Sequence, residues 1–200
     1  MDGKSGKDRY HHGDLREALI AAAHKLVIER GAENFTLADA CRAAGVSTAA
    51  PYKHFSNRDE VLVAVVSRAF DVMAKLAVDA ARSKGEGTLE GIVAMGCAYV
   101  AFARENPALF RLMFGQHPEL KKQRDVIDEG HSCFETVTQQ VQAYCSAHQI
   151  DADAKQIHMR LWTFVHGVAS LQIDGDYDVI EPGFDYERMI AETTPHLLQP

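Results

Sequence analysis

The sequence predicts an all-α fold of about nine helices, and three observations carry that prediction. Apolar residues recur at helical spacing along most of the chain. Alternating apolar and polar runs, which a half-buried strand needs, are scarce. Glycine and proline fall mostly between the helical runs, and side chains suited to capping stand ahead of several of them.

In chain order, Asp14-Leu15-Arg16-Glu17 has the pattern of a capping box. Leu15, Leu19, Ala22, Ala23, Leu26 and Val27 then keep helical spacing, and Gly31 is a plausible stop. The first helix therefore runs from about Asp14 to Arg30. Thr36 caps a second helix of about two turns, with Asp39 three residues on and Phe35 placed to staple onto Ala40. That helix ends at Ala44-Gly45, where glycine can take a left-handed conformation. Ser47 or Thr48 caps a third helix at about residues 48–55. Pro51 falls in its first turn, where a missing N–H costs least. Ala50, just before the proline, resists helical angles. A stiff, slightly distorted first turn presenting Thr48 and Ala49 is expected. Asn57-Arg58-Asp59-Glu60 opens a long connecting helix at about residues 58–82. "SKGEGT", residues 83–88, breaks it. Helices follow at about 89–104 and, led by Pro107, to Phe114. "GQHPE" is expected to turn, before helices at about 120–148, 153–173 and 184–198, with "DGDYDVIEPG" as the loop ahead of the last.

Two hundred residues, 46% hydrophobic, suit one compact domain or two small ones sharing a core. No apolar run approaches the roughly 20 residues of a membrane helix. "MDGKSGKDRYHHG" lacks the apolar stretch of a signal peptide, so a cytoplasmic location is expected. Cys41, Cys97, Cys133 and Cys145 form no C-x-x-C pair and read as free, packed thiols. The net charge of −7 is unevenly spread. Residues 1–60 hold 9 Lys/Arg against 9 Asp/Glu, and the remainder 12 against 19. Residues 41–58 contain Arg42, Lys53 and Arg58 and no carboxylate. An acidic body with a small basic window hints at a polyanion met through that window.

Two short helices joined by a glycine turn, behind a supporting helix, make a helix-turn-helix plan, whose second helix enters a DNA major groove. Reading DNA needs hydroxyls, small side chains and an aromatic at the start of that helix, with phosphate partners at its flanks. The segment supplies Ser47, Thr48, Ala49 and Tyr52, then Lys53, His54 and Arg58. At these residues the chain resembles the TetR/AcrR family of bacterial transcription regulators, through "FTLADACRAAGVSTAAPYKHFSNRDEVL" and the opening "YHHGDLREALIAAA". Cys41 departs from the alanine usual there, and is small and apolar enough to pack. The resemblance implies that Thr36 touches a phosphate, that Thr48 and Ala49 face base edges, and that Tyr52, Lys53, His54 and Arg58 mostly grip phosphates. Lys4, Lys7 and Arg9 form a basic arm that suits phosphate or minor-groove contact, or an idle tail.

The resemblance further implies a DNA-binding domain over residues 1–60 and a helical effector-binding and dimerisation domain over 61–200. Trp162-Thr163-Phe164-Val165-His166-Gly167 looks like the Trp…His-Gly signature of the WHG subgroup, and "ENPALFRLMFG" fits it too. Trp162 and His166, four apart, share a helical face, and Gly167 beside them permits close approach of another helix. Two readings of this face stay open. It is a pocket wall, with Tyr99, Phe102, Phe110, Met113, Phe114 and Phe134 around an apolar ligand. Or it is packed core with a satisfied histidine. In the family the last two large helices build a four-helix dimer interface. Candidate contacts are Val165, Val168, Ala169, Leu171 and Gln172, with Met189, Ile190, Thr193 and Leu197.

Other chemistries find little footing. Asp174 to Asp178, with Asp185 at the twelfth position, resembles a calcium loop, but Val179 stands where its glycine should. His158 and His166 lie about 12 Å apart along a helix, too far to share an ion. No zinc motif, nucleophile elbow or dinucleotide fingerprint is present. No metal, cofactor or enzymatic activity is expected. The sequence reads as a homodimeric regulator on a near-palindromic duplex operator, probing it with one reading helix per subunit and released, as a repressor, by a small apolar effector. A helical enzyme or a non-DNA interaction module is the alternative.

Overall fold

The structure, a computed structural model, describes residues 12–47, 54–115 and 117–199, with side chains from residue 15 onward in the first helix. Among the described residues it contains ten helices and no strand. It divides into two units, the first extending through Val65 and the second beginning at Val66.

The first unit holds α1 (His12–Arg30), α2 (Leu37–Ala43) and the opening turns of α3 (Arg58–Lys84). Leu19, Ala23, Val27, Ala40, Cys41 and Val61 are fully buried in it. Helical backbone in α1 begins two residues ahead of Asp14, so Asp14 sits inside the first turn and not at a cap. Gly31 ends α1 as expected, with φ of 82° and its N–H on the Val27 carbonyl at 2.9 Å. Asn57 caps α3, its side-chain oxygen accepting the Glu60 N–H at 3.0 Å.

The second unit takes the rest of α3, then α4 (Leu89–Glu105), α5 (Pro107–Phe114), α6 (Pro118–Lys121), α7 (Arg124–Ala147), α8 (Ala154–Asp174), α9 (Asp176–Ile180) and α10 (Tyr186–Leu197). α4 packs on α8, with α7 and α10 against the same pair. Gly96 makes this possible on α4: a Cβ there would stand 3.2 Å from both Val165 and Ile190. Within the subunit the close approach is made at Gly96 and not at Gly167. A Cβ on Gly167 would meet nothing within 4 Å in the subunit.

Two stretches differ from expectation. The helix expected over 120–148 begins later. Pro118 opens a single turn, α6, then Gln123 takes an extended conformation (ψ 132°) and α7 starts afresh at Arg124. The loop expected at 174–183 begins with a helical turn, α9, entered through left-handed Gly175. Two of the carboxylates in the calcium-loop resemblance, Asp174 and Asp185, have other partners. Asp174 pairs with Arg111 at 2.7 Å, and Asp185 caps α10 through the Arg188 N–H at 2.9 Å. Among the described residues no helix is long and apolar enough to cross a membrane.

Candidate functional site

The first unit builds one end of a helix-turn-helix. Thr36 and Asp39 close a full capping box at the start of α2. The Thr36 hydroxyl accepts the Asp39 N–H at 3.2 Å and donates to the Asp39 carboxylate at 2.6 Å, while the Thr36 N–H donates to the same oxygen at 2.8 Å. These bonds from Thr36, with one from Arg42, pull the Asp39 carboxyl down to about 2. At the other end α2 stops in a Schellman turn. The Gly45 N–H reaches the Arg42 carbonyl at 3.1 Å and the Val46 N–H the Cys41 carbonyl at 3.0 Å, with Gly45 left-handed at φ 71°. Ser47 follows, exposed.

Thr48, Ala49, Tyr52 and Lys53, the heart of the expected reading helix, lie outside the described residues, as do Ala50, Pro51 and the basic arm. His54 is half-buried and Phe55 buried beneath the Arg16 guanidinium, 5.4 Å from its ring. The basic window proves less open than its sequence suggests. Arg58 pairs with Asp59 at 3.1 Å and with Glu33, from before α2, at 3.8 Å. Arg42 is held by Asp39. The Thr36 donors are occupied by Asp39, so a phosphate would have to displace that carboxylate.

The second unit encloses an apolar cavity of about 640 Å³, within the range of about 300–1,000 Å³ typical of small-molecule sites. α3 contributes Phe70 and Met73, α4 contributes Met95 and Tyr99, α7 contributes Cys133 and Phe134, and α8 contributes His158 and Trp162. Half-exposed Leu76 and Met159, with exposed His131, Glu135 and Lys155, form its mouth.

Of the residues expected there, Tyr99, Phe102, Phe114, Phe134 and Trp162 line this cavity. Phe110, Met113 and His166 do not, which corrects the expected lining. Phe110 and Phe114 share one face of α5, and Phe110 is covered by the rings of Phe114 (4.9 Å) and Tyr99 (5.7 Å). Met113 precedes Phe114 and so points about 100° away around the helix, into packed core. His166 lies behind the wall, 5.0 Å from Phe114 and 5.3 Å from Phe110 between ring centres. Its Nδ1 is 2.8 Å from the Tyr99 hydroxyl, which also accepts the Trp162 indole N–H at 3.2 Å. The two readings of the Trp162–His166 face thus divide between the residues: Trp162 is wall, His166 is support. Burial, then the nearby Lys121 charge, lowers the His166 pKa, and burial raises that of the Tyr99 phenol.

Sequence reasoning missed His158. It is buried, stacked on Phe134 with centroids 4.1 Å apart, and hydrogen-bonded through Nδ1 to the Thr138 hydroxyl at 2.8 Å. Desolvation lowers its pKa to about 4. The available signal was its position one helical turn before Trp162 on the same face. Cys133 was read as a packing thiol, and burial followed by Asp71 pushes it up to about 11, so it stays protonated on the cavity wall.

The expected dimer contacts also need correction. Val165, Val168, Ala169 and Ile190 are buried inside the single subunit, because α8 and α10 turn those residues toward α4 and each other. Leu171, Gln172, Met189, Thr193 and Leu197 keep exposed surface.

Residues 19–65 match the family model described as bacterial regulatory proteins, tetR family, and residues 92–193 match a tetracyclin repressor-like C-terminal domain. The chain belongs to the TetR family. It is 30% identical over 127 residues to a nucleoid occlusion factor of Vibrio vulnificus, covering 62% of this chain and 64% of that protein. It is 26% identical over 112 residues to an HTH-type transcriptional regulator of Mycobacterium bovis, covering 55% and 47%. It thus spans about half to two-thirds of the length of these relatives. A solved structure of a Rhodococcus protein of unknown function superposes with a TM-score of 0.80 at 27% identity, covering 96% of this chain and 97% of that one.

Proposed function

We propose that this TetR-family chain is a homodimeric, DNA-binding transcriptional regulator, acting as a repressor that a small molecule in the apolar cavity releases from a near-palindromic operator. The observation that carries the reading is the capped α2 and its Schellman turn at Gly45, lying within the segment that matches the family model. Such a turn delivers the following helix to a major groove. Thr48 and Ala49 then meet base edges, with Ser47 as a further hydroxyl facing the DNA, while Tyr52, Lys53, His54 and Arg58 mostly hold phosphates, with Thr36 at the start of α2. Arg58 exchanges Glu33 and Asp59 for phosphate oxygens when DNA arrives.

The cavity supports the effector part of the reading. α3 is continuous from Arg58 to cavity-lining Phe70 and Met73. A ligand that fits one position of this helix better than another shifts the population of reading heads. The Trp162, His166 and Gly167 pattern supports a reading of the second unit as a WHG-type domain. Nothing in this reading calls for enzymatic activity, and it suits the cytoplasm, where operator DNA is met.

Selection of bound duplexes from a random pool, read against the promoter of its own gene, tests the proposal. A recovered near-palindrome whose binding weakens steeply from roughly 50 to 200 mM salt supports it. Salt-independent or absent binding sinks it. Arg58→Ala should reduce the salt slope by about one if the arginine transfers to a phosphate. An unchanged slope leaves Arg58 as an internal tie only.

A further inference from the structure

On the buried wall of the cavity most hydrogen-bonding groups are already used. Trp162 donates to Tyr99, and Tyr99 can donate its own proton to His166. The Thr194 hydroxyl donates to the Ile190 carbonyl at 2.7 Å. His158 differs. Its ring lines the cavity at 5% exposure, and among the described residues only Nδ1 has a protein partner, Thr138 Oγ1. That hydroxyl also lies 2.9 Å from the Phe134 carbonyl.

Two proton placements are available. If Thr138 donated to Nδ1, its bond to Phe134 would be lost and Nε2 would carry a proton with no protein acceptor among the described residues. If Thr138 donates to Phe134 and His158 Nδ1–H donates to Thr138, both contacts become hydrogen bonds. Buried polar groups favour the arrangement that satisfies more of them. The second placement leaves Nε2 as a bare acceptor on a ring that lines the cavity.

We infer that the effector is a neutral, mainly apolar molecule carrying a hydroxyl or N–H donor, and that His158 Nε2 accepts that donor. The inference rests on the cavity being the effector site. Neutrality follows from the surroundings. A neutral imidazole offers no countercharge to a carboxylate and its lone pair repels one, while Lys155 stands at the exposed mouth, away from the buried wall where His158 sits. An ammonium would lack a buried acid, because Glu135 stands at the exposed mouth. A pure hydrocarbon would leave Nε2 desolvated and unpaired.

The chain's single tryptophan lies on this wall, so its emission reports occupancy directly. The probes are 1-decanol, its isosteric ether 1-methoxynonane, and decanoate, all transparent where tryptophan absorbs. With the full chain near neutral pH, decanol should bind roughly threefold to tenfold more tightly than the ether, with decanoate weakest. His158→Phe should abolish the preference while keeping the ether bound. Thr138→Val, which removes the oxygen that fixes the proton on Nδ1, should reduce the preference without reshaping the wall beside the ligand. In the unmodified protein, ¹⁵N spectra of the imidazoles, with His158 assigned through its contacts to the stacked Phe134 ring, should show the His158 proton on Nδ1, and a proton on Nε2 overturns the inference whether or not the variants fold. Equal affinity for alcohol and ether, or tighter decanoate binding, overturns the donor assignment and leaves the effector site standing. If none of the three probes alters emission or melting temperature, the effector reading falls and the inference with it.

Discussion

His158 and Asp39 are opposite solutions to holding an ionisable group in a helical protein. Burial against Phe134 keeps His158 neutral, lowering its pKa from 6.5 to about 4. Hydrogen bonds from Thr36, then Arg42, keep half-buried Asp39 charged, lowering it from 3.8 to about 2. Both folded values are depressed, so both contributions are present above the unfolded pKa and lost as pH falls. Their windows are separate. Stability linked to His158 in the second unit should decline from about pH 6.5 to 4, by on the order of 3 kcal/mol in all. That linked to Asp39 in the first unit should decline from about pH 4 to 2. Thermal unfolding followed by Trp162 emission, which lies in the second unit, checks the first window. His158→Gln should flatten it, and an unchanged profile would place the titration elsewhere. Much of the cavity wall was legible because Tyr99, Phe114, Phe134 and Trp162 are large aromatics on helical faces. His158 was hidden because its value depends on Thr138 and Phe134, about 20 residues upstream on α7, and a histidine tested only for metal spacing shows nothing of that.

At the scale of elements, the legible boundaries were those with a chemical mark. Thr36, Asn57, Asp153 and Asp185 each accept a backbone N–H at a helix start, and Gly31, Gly45 and Gly175 take left-handed angles at helix ends. The break at Gln123 carries no glycine or proline, so it could not be seen in "ELKKQRD". The charge window misled for a related reason. Arg42 and Arg58 are uncompensated along residues 41–58, yet Asp39, Glu33 and Asp59 close on them once α2 and α3 form. Gly45 offers a test at this scale. A Cβ there meets nothing within 4 Å, so only the backbone angle opposes substitution. Gly45→Ala should cost roughly 1–2 kcal/mol of the first unit's stability and weaken DNA binding with it. Gly45→Asn should cost less, since asparagine visits left-handed angles more readily. Urea unfolding of the two variants by circular dichroism separates them, and equal losses would mean the turn is not held by its dihedral.

For the whole molecule the open question is what covers α8. Gly167 sits mid-helix and exposed, where glycine is about 1 kcal/mol less favourable than alanine. Within the subunit it gains nothing in return, since no atom would contact its Cβ. Leu171, four residues on and so on the same face, is 42% exposed. A bare backbone patch beside a half-exposed leucine is poor design for a solvated surface and good design for a helix of a second copy packing close. Of the expected contacts, Leu171, Gln172, Met189, Thr193 and Leu197 on α8 and α10 keep surface that a second copy could cover. In the proposed dimer the glycine would make the subunit and the assembly pull in opposite directions. Gly167→Ala should leave the dimer's melting temperature no higher, despite better helix propensity, because the added methyl enters the interface. Gly167→Leu should fold normally by circular dichroism and sediment as a monomer at micromolar concentration. Operator affinity should fall with it, since two half-sites are then bound independently. If Gly167→Leu stays dimeric and Gly167→Ala is stabilised by about 1 kcal/mol, this face of α8 is solvent-facing and the subunits meet elsewhere.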